Sequence, residues 1–244
     1  MVTKPPRLWN TKLTEFSDSA RRAVSADWIH EPLFEITKLP LTPQGRTQIM
    51  ALDEYAGVVF VSQTAIQFAL PYFEQFWPQW PTRQHWCAMG KGSAELIRAV
   101  DHEVVTATPP TTEGLLTQRA LQDVADQRWL IVRGEGGREL LREALQTRGA
   151  RVEYLELYQR ESRAFDIEIQ RLINSPLDGI FISSTQALNV VAELFQTKRA
   201  QAPTLVVPGE RAALKALSLG FRSVIEAASA AENDLVAAWC GAKG

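Results

Sequence analysis

Two stretches of sequence decide the fold: "AGVVFVSQTAIQFAL" (56–70) and "LDGIFISSTQALNVV" (177–191), which lie about 120 positions apart. In each stretch, a short apolar run is followed by a cluster of hydroxyl side chains and then by a helix-like pattern. Continuous apolar runs are typical of strands that helices bury on both faces of a parallel sheet. The chain therefore builds the same strand–turn–helix element twice.

Three more pairs of segments are similar, in the same order and at nearly the same separation. They are "RLWNTK" (7–12) with "RWLIVR" (128–133), "MGKGSAELI" (89–97) with "PGERAALKA" (208–216), and "TTEGLL" (111–116) with "AAENDL" (230–235). Self-similarity at a fixed separation indicates the internal duplication of a half of roughly 120 residues.

Each half also has the same predicted order of elements. The order is a strand (7–11; 129–133), an amphipathic helix (14–26; 137–149) and a second strand (31–36; 152–158). The repeated strand and helix follow, and then another strand, a glycine-containing turn and a helix. This alternation predicts an α/β fold of two similar, doubly wound, flavodoxin-like lobes, each built around a parallel sheet.

Composition limits the partners and the compartment. The 244 residues include 45% hydrophobic residues and carry a net charge of -2, which suits a globular protein and gives no broad basic surface for nucleic acid. Residues 1–16 contain no apolar run long enough for a signal peptide, and no segment approaches the ~20 apolar residues of a membrane span. We therefore expect a cytoplasmic protein with no nucleic-acid or membrane partner.

Cysteine and histidine indicate neither a metal site nor a disulfide framework. Cys87 and Cys240 are far apart, and His30, His85 and His102 lack the spacing of metal ligands. We expect two reduced thiols and no metal.

The aromatic segment "PYFEQFWPQWP" (71–81) has two interpretations. It could form a lid or platform over a ligand, or it could be a surface helix and loop that packs on the edge of a domain.

The polar residues that follow the predicted strands are the candidate binding site. In an open parallel sheet, ligands bind beyond the carboxyl ends of the strands, where backbone N–H groups at helix N-termini favour anions. Each hydroxyl could instead be an ordinary helix N-cap. Because such turns recur in both halves, the pattern favours a cleft between two lobes that binds a ligand with several carboxylates or phosphates. The candidate binding residues are Lys12, Ser62, Gln63, Thr64, Gly90, Lys91, Arg133, Gly134, Gly136, Ser183, Ser184, Thr185, Gly209, Arg211 and Ser229.

The sequence contains no nucleophile motif. It has no G-x-S-x-G, and "GEGGREL" (134–140) lacks both the last glycine of a dinucleotide loop and the Lys-Ser/Thr pair of a phosphate loop. A reaction that needs few functional side chains is therefore favoured over hydrolysis. A nucleotide- or flavin-binding module is an alternative that depends on this motif alone.

The segment "WLIVRGEGGRELLREALQTRGARVEYLELYQR" (129–160) resembles the uroporphyrinogen-III synthase family. Members typically carry a strand, Arg-Gly-x-Gly-Gly-Arg, a Leu-rich helix, Arg-Gly-Ala-x-Val and Tyr-x-Arg. "VVFVSQTAI" (58–66), "AMGKGSAELI" (88–97) and "TTEGLL" (111–116) are similar to three more family segments, so that the resemblance covers nearly the whole chain.

The chain departs from the family pattern at three places. The family's Thr-Arg-Pro is Thr-Lys-Leu at 11–13, its Asn is Thr64, and its Gly-Pro-Arg-Thr-Ala is Gly-Glu-Arg-Ala-Ala at 209–213. These changes affect side-chain contacts, whereas backbone donors in the same turns are retained.

The resemblance implies two lobes joined by a two-stranded linker, with chain crossings near 31–38 and 154–162. Lobe 1 would then combine residues 1–33 and 162–244, and lobe 2 would contain 38–155. The residues by themselves would have suggested two consecutive lobes.

The resemblance also implies an activity, that of a lyase without cofactor or metal. The family cyclises hydroxymethylbilane to uroporphyrinogen III, with inversion of ring D and loss of water, in tetrapyrrole (haem) biosynthesis. The eight carboxylates of this substrate fit a ring of amide donors, and catalysis would be mainly a matter of orientation and fixed dipoles. The alternative function is a non-catalytic, two-lobed protein that binds a small polyanion.

Tyr158 matches the family tyrosine that is proposed to help the substrate hydroxyl leave. A phenol is protonated at neutral pH and can donate a hydrogen bond to the departing oxygen. Packing on the linker with the hydroxyl in water is the alternative. The resemblance further suggests a monomer, and it is compatible with hand-over of the substrate from the preceding pathway enzyme.

Overall fold

The computed structural model describes residues 4–100 and 102–243, in which strands and helices alternate. The strands are β1 (Arg7–Asn10), β2 (Asp27–His30), β3 (Phe34–Lys38), β4 (Gly57–Phe60), β5 (His85–Ala88), β6 (Val104–Thr106), β7 (Arg128–Gly134), β8 (Arg151–Ser162), β9 (Gly179–Phe181), β10 (Thr204–Pro208) and β11 (Val224–Ala227). The α-helices are α1 (Asp18–Arg22), α2 (Pro43–Met50), α3 (Gln63–Phe76), α4 (Lys91–Arg98), α5 (Thr112–Leu116), α6 (Leu140–Thr147), α7 (Ile167–Ile173), α8 (Thr185–Phe195), α9 (Gly209–Ser218) and α10 (Glu232–Lys243). The predicted α/β fold with parallel sheets is confirmed.

The chain divides into two compact units. Lobe 1 contains Met1–Glu35 and Glu161–Gly244, and lobe 2 contains Ile36–Arg160. The chain passes from one unit to the other within β3 and again within β8, and these two strands are neighbours in one sheet. Lobe 1 is therefore discontinuous in sequence, whereas lobe 2 is a single segment.

Lobe 1 is built on a five-stranded sheet with the order β11-β10-β9-β1-β2, in which all neighbouring strands are parallel. Leu8 and Phe181 contribute to the core on one face, and Trp9 and Ile180 contribute to the core on the other face. Because adjacent residues of a strand point to opposite faces, these apolar strands are covered on both sides, as the sequence predicts.

Lobe 2 is built on a six-stranded sheet with the order β3-β8-β7-β4-β5-β6. The pairs from β8 to β6 are parallel, and β3 adds the outer strand next to β8. Phe60 and Leu130 pack on one face of the sheet, and Val59 and Ile131 pack on the other. The second sheet is therefore also buried between two apolar layers.

The first predicted helix is much shorter than expected. α1 begins at Asp18, because the Oγ atom of Ser17 accepts a hydrogen bond from the backbone N–H of Ala20 (3.3 Å) and caps the helix. Phe16 lies before the cap and is buried against the rings of Trp28 and Phe181. Phe16 is therefore used for core packing and Ser17 for capping, and the prediction of a helix over 14–26 is wrong at both ends.

The second strand of the first half is also displaced. β2 ends at His30, and the prediction of a single strand at 31–36 is wrong. Pro32, which lacks a backbone N–H, lies between β2 and the start of β3 at Phe34. β2 pairs with β1 in lobe 1, whereas β3 leads into lobe 2.

Glycines set both ends of α6. The prediction started this helix at Gly137, but Gly137 has a φ of 99°, which a right-handed helix does not permit, and α6 begins at Leu140. Gly149 has a φ of 89° and lies just beyond the last turn, as expected for a helix C-terminus.

The aromatic segment 71–81 packs within lobe 2. Phe73 and Trp80 are buried, and their ring centroids are 5.2 Å apart. Trp80 also contacts Trp86 of β5 at 4.7 Å, and the indole N–H of Trp77 donates to the carbonyl of Ile49 (2.6 Å). These contacts favour the interpretation of a packed helix and loop. In the part of the chain that the structure describes, no helix combines the length and the apolar character needed to cross a bilayer.

Candidate active site

The predicted binding residues lie at the carboxyl ends of strands within each lobe. In lobe 2 they lie after β4 (Ser62, Gln63, Thr64), after β5 (Gly90, Lys91), and at or after the end of β7 (Arg133, Gly134, Gly136). In lobe 1 they lie after β1 (Lys12), after β9 (Ser183, Ser184, Thr185), after β10 (Gly209, Arg211) and after β11 (Ser229). These are the positions at which open parallel sheets bind ligands.

Two of the predicted residues, Ser62 and Tyr158, share a hydrogen bond in lobe 2. The Oγ atom of Ser62 lies 2.9 Å from the hydroxyl of Tyr158. Ser62 is also the N-cap of α3, since its Oγ accepts from the backbone N–H of Ala65 (3.0 Å). The functional and capping interpretations of this serine are therefore compatible.

An irregularity in β8 decides where Tyr158 lies. Arg133 of β7 pairs with Glu156, but the next residue, Gly134, pairs with Tyr158. β8 thus has one extra residue, Leu157, which is the arrangement of a β-bulge. The backbone N–H of the residue after Gly134 donates to the carbonyl of Tyr158 (2.7 Å) and fixes the chain beyond the bulge.

The bulge turns Tyr158 to the opposite face of the sheet from Tyr154. Strict alternation would put these two side chains, four residues apart, on one face. Instead Tyr154 packs with the core layer of Ile131, and Tyr158 packs with the layer of Val132 on the side of α3. β-bulges are frequent next to active sites, where they re-aim a side chain. Here the bulge brings the phenol to Ser62.

The ring of Tyr158 is held from two sides. A Cβ atom placed on Gly134 would lie 2.4 Å from Cε2 of Tyr158, so that only glycine leaves room for this ring. The ring of Phe68, from α3, lies 5.8 Å from the Tyr158 ring between centroids. Phe68 was not among the predicted residues, because one apolar residue among several in α3 carries no signal of its own.

Gln63 reaches the start of α4. A Cβ atom on Gly92 would lie 2.0 Å from Nε2 of Gln63, so the amide lies against the first turn of that helix. α4 begins at Lys91 after Gly90, which has no side chain with which to cap it. Uncapped N–H groups at a helix N-terminus favour an anion. Gln63, Gly90 and Lys91 are therefore brought together around one candidate anion site.

Arg133 already has an ionic partner within lobe 2. Its guanidinium binds Glu139 (3.1 Å) and lies over the ring of Tyr154, at 4.4 Å from the centroid. The Tyr154 hydroxyl donates to Glu139 (2.7 Å), and this bond, with that of Arg133, lowers the pKa of Glu139. Burial and the Glu139 carboxylate raise the pKa of Tyr154 to about 12. Substrate binding by Arg133 stays a prediction, and its observed role is to order the turn after β7.

In lobe 1, Lys12 contacts the turn that carries Ser229. The Nζ atom of Lys12 donates to the carbonyl of Ala230 (3.2 Å). The Oγ atom of Ser229 donates to Asp234 (2.5 Å) and accepts from the backbone N–H of Ala231 (3.0 Å). These two predicted residues therefore lie together at the start of α10.

The remaining candidates of lobe 1 follow β9 and β10. Ser184 caps α8, since its Oγ accepts from Ala187 N–H (3.1 Å), and Ser183 and Thr185 flank it. Gly209 opens α9 with a φ of 73°, and Arg211, two residues further on, is exposed. Within the described ranges, Ser184 has no tyrosine partner comparable to that of Ser62.

Cys87, His85 and His102 each pack against neighbouring side chains. Among the described residues, no group of three or more His, Cys, Asp or Glu is close enough to hold a metal ion. Cys87 is buried in β5, and burial raises the pKa of its thiol to about 12. His85 stacks on Trp129, and His102 stacks on Trp80.

Comparisons with known proteins agree on one family. The model of the family described as uroporphyrinogen-III synthase HemD matches residues 17–237. The uroporphyrinogen-III synthase of Escherichia coli (strain K12) is 30% identical over 213 residues, which cover 84% of this chain and 86% of the relative. That of Salmonella typhimurium (strain LT2) is 30% identical over 218 residues, which cover 83% and 85%.

Two solved structures share the fold. The crystal structure of uroporphyrinogen-III synthetase from Helicobacter pylori 26695 aligns with a TM-score of 0.68 at 12% identity, over 98% of this chain and all of that one (100%). A mutant uroporphyrinogen III synthase from the extremely thermophilic bacterium Thermus thermophilus aligns with a TM-score of 0.63 at 15% identity, over 98% and 97%.

Proposed function

Because the chain belongs to the uroporphyrinogen-III synthase family, we propose that it cyclises hydroxymethylbilane to uroporphyrinogen III, with inversion of ring D and loss of water. The observation that carries this conclusion is the family match over residues 17–237, together with relatives that are 30% identical over most of both chains. The alternative of a non-catalytic binding protein is not favoured by these relatives. The reaction belongs to tetrapyrrole (haem) biosynthesis.

The substrate carboxylates are proposed to bind at the helix N-termini described above. Backbone N–H groups at the starts of α3, α4, α8 and α9 have no intrahelical partner, and a negative charge there is favoured by the helix dipole. Side chains at the same turns, such as Gln63 and Lys91 at α4 and Lys12 in lobe 1, add donors. Donors at several helix N-termini suit a substrate whose eight carboxylates are spread along a linear chain.

Tyr158 is proposed to donate a hydrogen bond to the departing hydroxyl of the substrate. A serine hydroxyl has one proton to donate and two lone pairs with which to accept. One lone pair of Ser62 accepts from Ala65, so Ser62 can donate its proton to the oxygen of Tyr158. The phenolic proton can then pass to the substrate oxygen, which leaves as water when the C–O bond breaks, and the proton that the tetrapyrrole loses as the ring closes restores the phenol.

Internal duplication is the finer proposal about the fold. The sheet of lobe 1 reads β2-β1-β9-β10-β11, and that of lobe 2, beyond β3, reads β8-β7-β4-β5-β6. Each strand in the first order corresponds to the strand at the same place in the second order, at a separation of about 120 residues along the chain. This correspondence supports two related halves in which each half contributes strands to both lobes.

A cytoplasmic monomer without cofactor or metal, which takes its substrate from the preceding enzyme, completes the proposal. The decisive experiment supplies enzymatically made hydroxymethylbilane to the purified protein, oxidises the products and separates the isomers. We expect isomer III to accumulate, whereas substrate without protein closes to isomer I. Production of isomer I alone by the folded protein would contradict the proposal.

A further inference from the structure

Two glycines in the strands of lobe 2 lie under an aromatic ring of a neighbouring strand. A Cβ atom on Gly57 would lie 2.3 Å from the ring of Trp129, and one on Gly134 would lie 2.4 Å from the ring of Tyr158. Trp129 is fully buried, so packing accounts for Gly57. Tyr158 is only partly buried, and its hydroxyl is bound to Ser62. Gly134 therefore sets the place of a polar group as well as the packing of a ring.

The surroundings of Tyr158 leave its ring little freedom. Gly134 lies beneath the ring, Phe68 lies beside it, and Ser62 binds its hydroxyl. The carbonyl of Tyr158 is also fixed, since it accepts from the N–H of Glu135 (2.7 Å). A methyl group on Gly134 would have to push the rigid ring away, because the backbone on both sides is paired. The hydroxyl, at the far end of the ring, would move with it.

We propose that Gly134 and Phe68 are positioning residues for the cyclisation, and that they act through the hydroxyl of Tyr158. The inference depends on the proposed role of Tyr158 in the departure of the substrate hydroxyl. Gly134 would then contribute to the reaction because it has no side chain, and not only because of its backbone N–H. Displacement of a catalytic group by about 1 Å can cost about 10²-fold in rate, which sets the size of the effect.

The first test is Gly134→Ala, which keeps the backbone N–H and adds only the methyl group. We expect kcat to fall by about 10²-fold with KM little changed, since substrate carboxylates would bind as before. Gly57→Ala is the matched control, because it creates the same kind of clash in the same lobe away from Tyr158. The control is expected to lose stability and to retain kcat per folded molecule. An unchanged kcat in folded Gly134→Ala would overturn the proposal.

The second test combines Gly134→Ala with Tyr158→Phe. If Gly134 acts through the phenol, the double variant should have the kcat of Tyr158→Phe, with no further loss. Losses that multiply would show that Gly134 acts in another way and would overturn the inference. If Tyr158→Phe alone retains the wild-type rate, the proposed role of Tyr158 fails, and this outcome is distinct from the other two.

A variant of Phe68 keeps the inference testable if Gly134→Ala does not fold. Phe68→Leu preserves an apolar side chain of similar size but removes the ring that contacts Tyr158. Phe76→Leu is its control, since Phe76 lies in the same helix, with Arg46 over its ring. We expect a several-fold lower kcat in Phe68→Leu only, and no further loss on adding it to Tyr158→Phe. Equal rates in the two leucine variants would contradict the proposal.

Discussion

The hydroxyl of Tyr158 has one hydrogen to donate. The direction of that hydrogen depends on the Oγ atom of Ser62, which lies 2.9 Å from the Tyr158 hydroxyl. Replacement by phenylalanine keeps the ring between Gly134 and Phe68 and removes only the hydroxyl. We expect kcat to fall at most about 10²–10⁴-fold, the range typical of general acid catalysis, because orientation by backbone amides remains. The measurement is turnover of hydroxymethylbilane to isomer III. Tyr72→Phe, which removes a phenol from the same lobe, should retain the wild-type rate.

Ser62 has two tasks, and a second substitution separates them. Ser62→Ala removes the cap of α3 and the partner of Tyr158, whereas Thr42→Ala removes only the comparable cap of α2, in which Thr42 accepts from Gly45 N–H (3.0 Å). Each should lower the free energy of unfolding by about 1 kcal/mol. Only Ser62→Ala should also lower kcat, and equal kcat values after correction for folding would show that Ser62 is an N-cap alone.

The individual residues of this pair could be predicted from sequence, but their contact could not. Ser62 follows an apolar strand, and Tyr158 lies in a segment that resembles a known family, so the sequence singles out each of them. Their meeting depends on the extra residue, Leu157, which reverses the face of Tyr158. Nothing in "EYLELYQR" (153–160) distinguishes a bulged strand from a regular one. The contact between Phe68 and Tyr158 depends on the same reversal.

At the scale of elements, one carboxylate joins three of them. Glu153 of β8 accepts hydrogen bonds from Gln48 of α2 (3.1 Å), from Tyr55 (2.9 Å) and from Arg128 of β7 (2.9 Å). Arg128 also binds Glu54, in the short helix before β4. Burial by itself would raise the pKa of Glu153, but these donors outweigh it and lower that pKa.

Glu153→Gln should lower the free energy of unfolding by about 1–2 kcal/mol. A hydrogen bond to a charged group contributes about 1.5–3 kcal/mol, and partial exposure of the pair reduces this value. The measurement is chemical denaturation at pH 7. Glu168→Gln, which breaks the exposed pair with Arg171 in lobe 1, is the control and should change stability by less than about 0.5 kcal/mol.

The same variant gives a test with pH. The pKa of a glutamate in an unfolded chain is about 4.3, and the pKa of Glu153 is lower in the folded state. On acidification the unfolded chain therefore binds more protons than the folded chain, and stability is lost as the pH falls through the folded-state pKa of Glu153. The contribution is fully present above about pH 5. We expect the difference in stability between wild type and Glu153→Gln to narrow between pH 5 and about pH 3. A constant difference over this range would show that the charge of Glu153 does not stabilise the lobe.

Elements with a strong pattern could be predicted, and those defined by caps or pairing could not. β4 and β9 are continuous apolar runs, each followed by a hydroxyl residue that caps the next helix, and both lie at the positions that the sequence predicts. The region 14–36 is different, because its polar and apolar residues suit a helix as well as a loop. In this region the start of α1 is set by the cap at Ser17. The position of β2 is set by its pairing with β1, which depends on residues elsewhere in the fold.

At the scale of the whole molecule, the order of elements along the chain does not reveal which lobe each element joins. A repeated sequence suggests two consecutive lobes, yet β1 and β2 share a sheet with β9, β10 and β11. The continuous segment between them forms lobe 2. Apolar strands from either half are chemically interchangeable, so local patterns give no preference for one partner over the other. Only the resemblance to a known family predicts that strands from both ends of the chain share one sheet.

This arrangement predicts which fragment of the chain can fold alone. Residues 36–160 contain the whole of lobe 2 and its two core layers, whereas residues 1–125, of equal length, hold one proposed repeat, whose strands belong to two different sheets. A domain with its own core can in principle fold independently. We expect the fragment 36–160 to unfold cooperatively in denaturant and to show dispersed amide resonances, and the fragment 1–125 to do neither. Cooperative unfolding of the fragment 1–125, and not of the fragment 36–160, would mean that the proposed repeat, rather than lobe 2, is the folding unit. Neither fragment should convert hydroxymethylbilane to isomer III, because each lacks several of the residues that are proposed to bind the substrate.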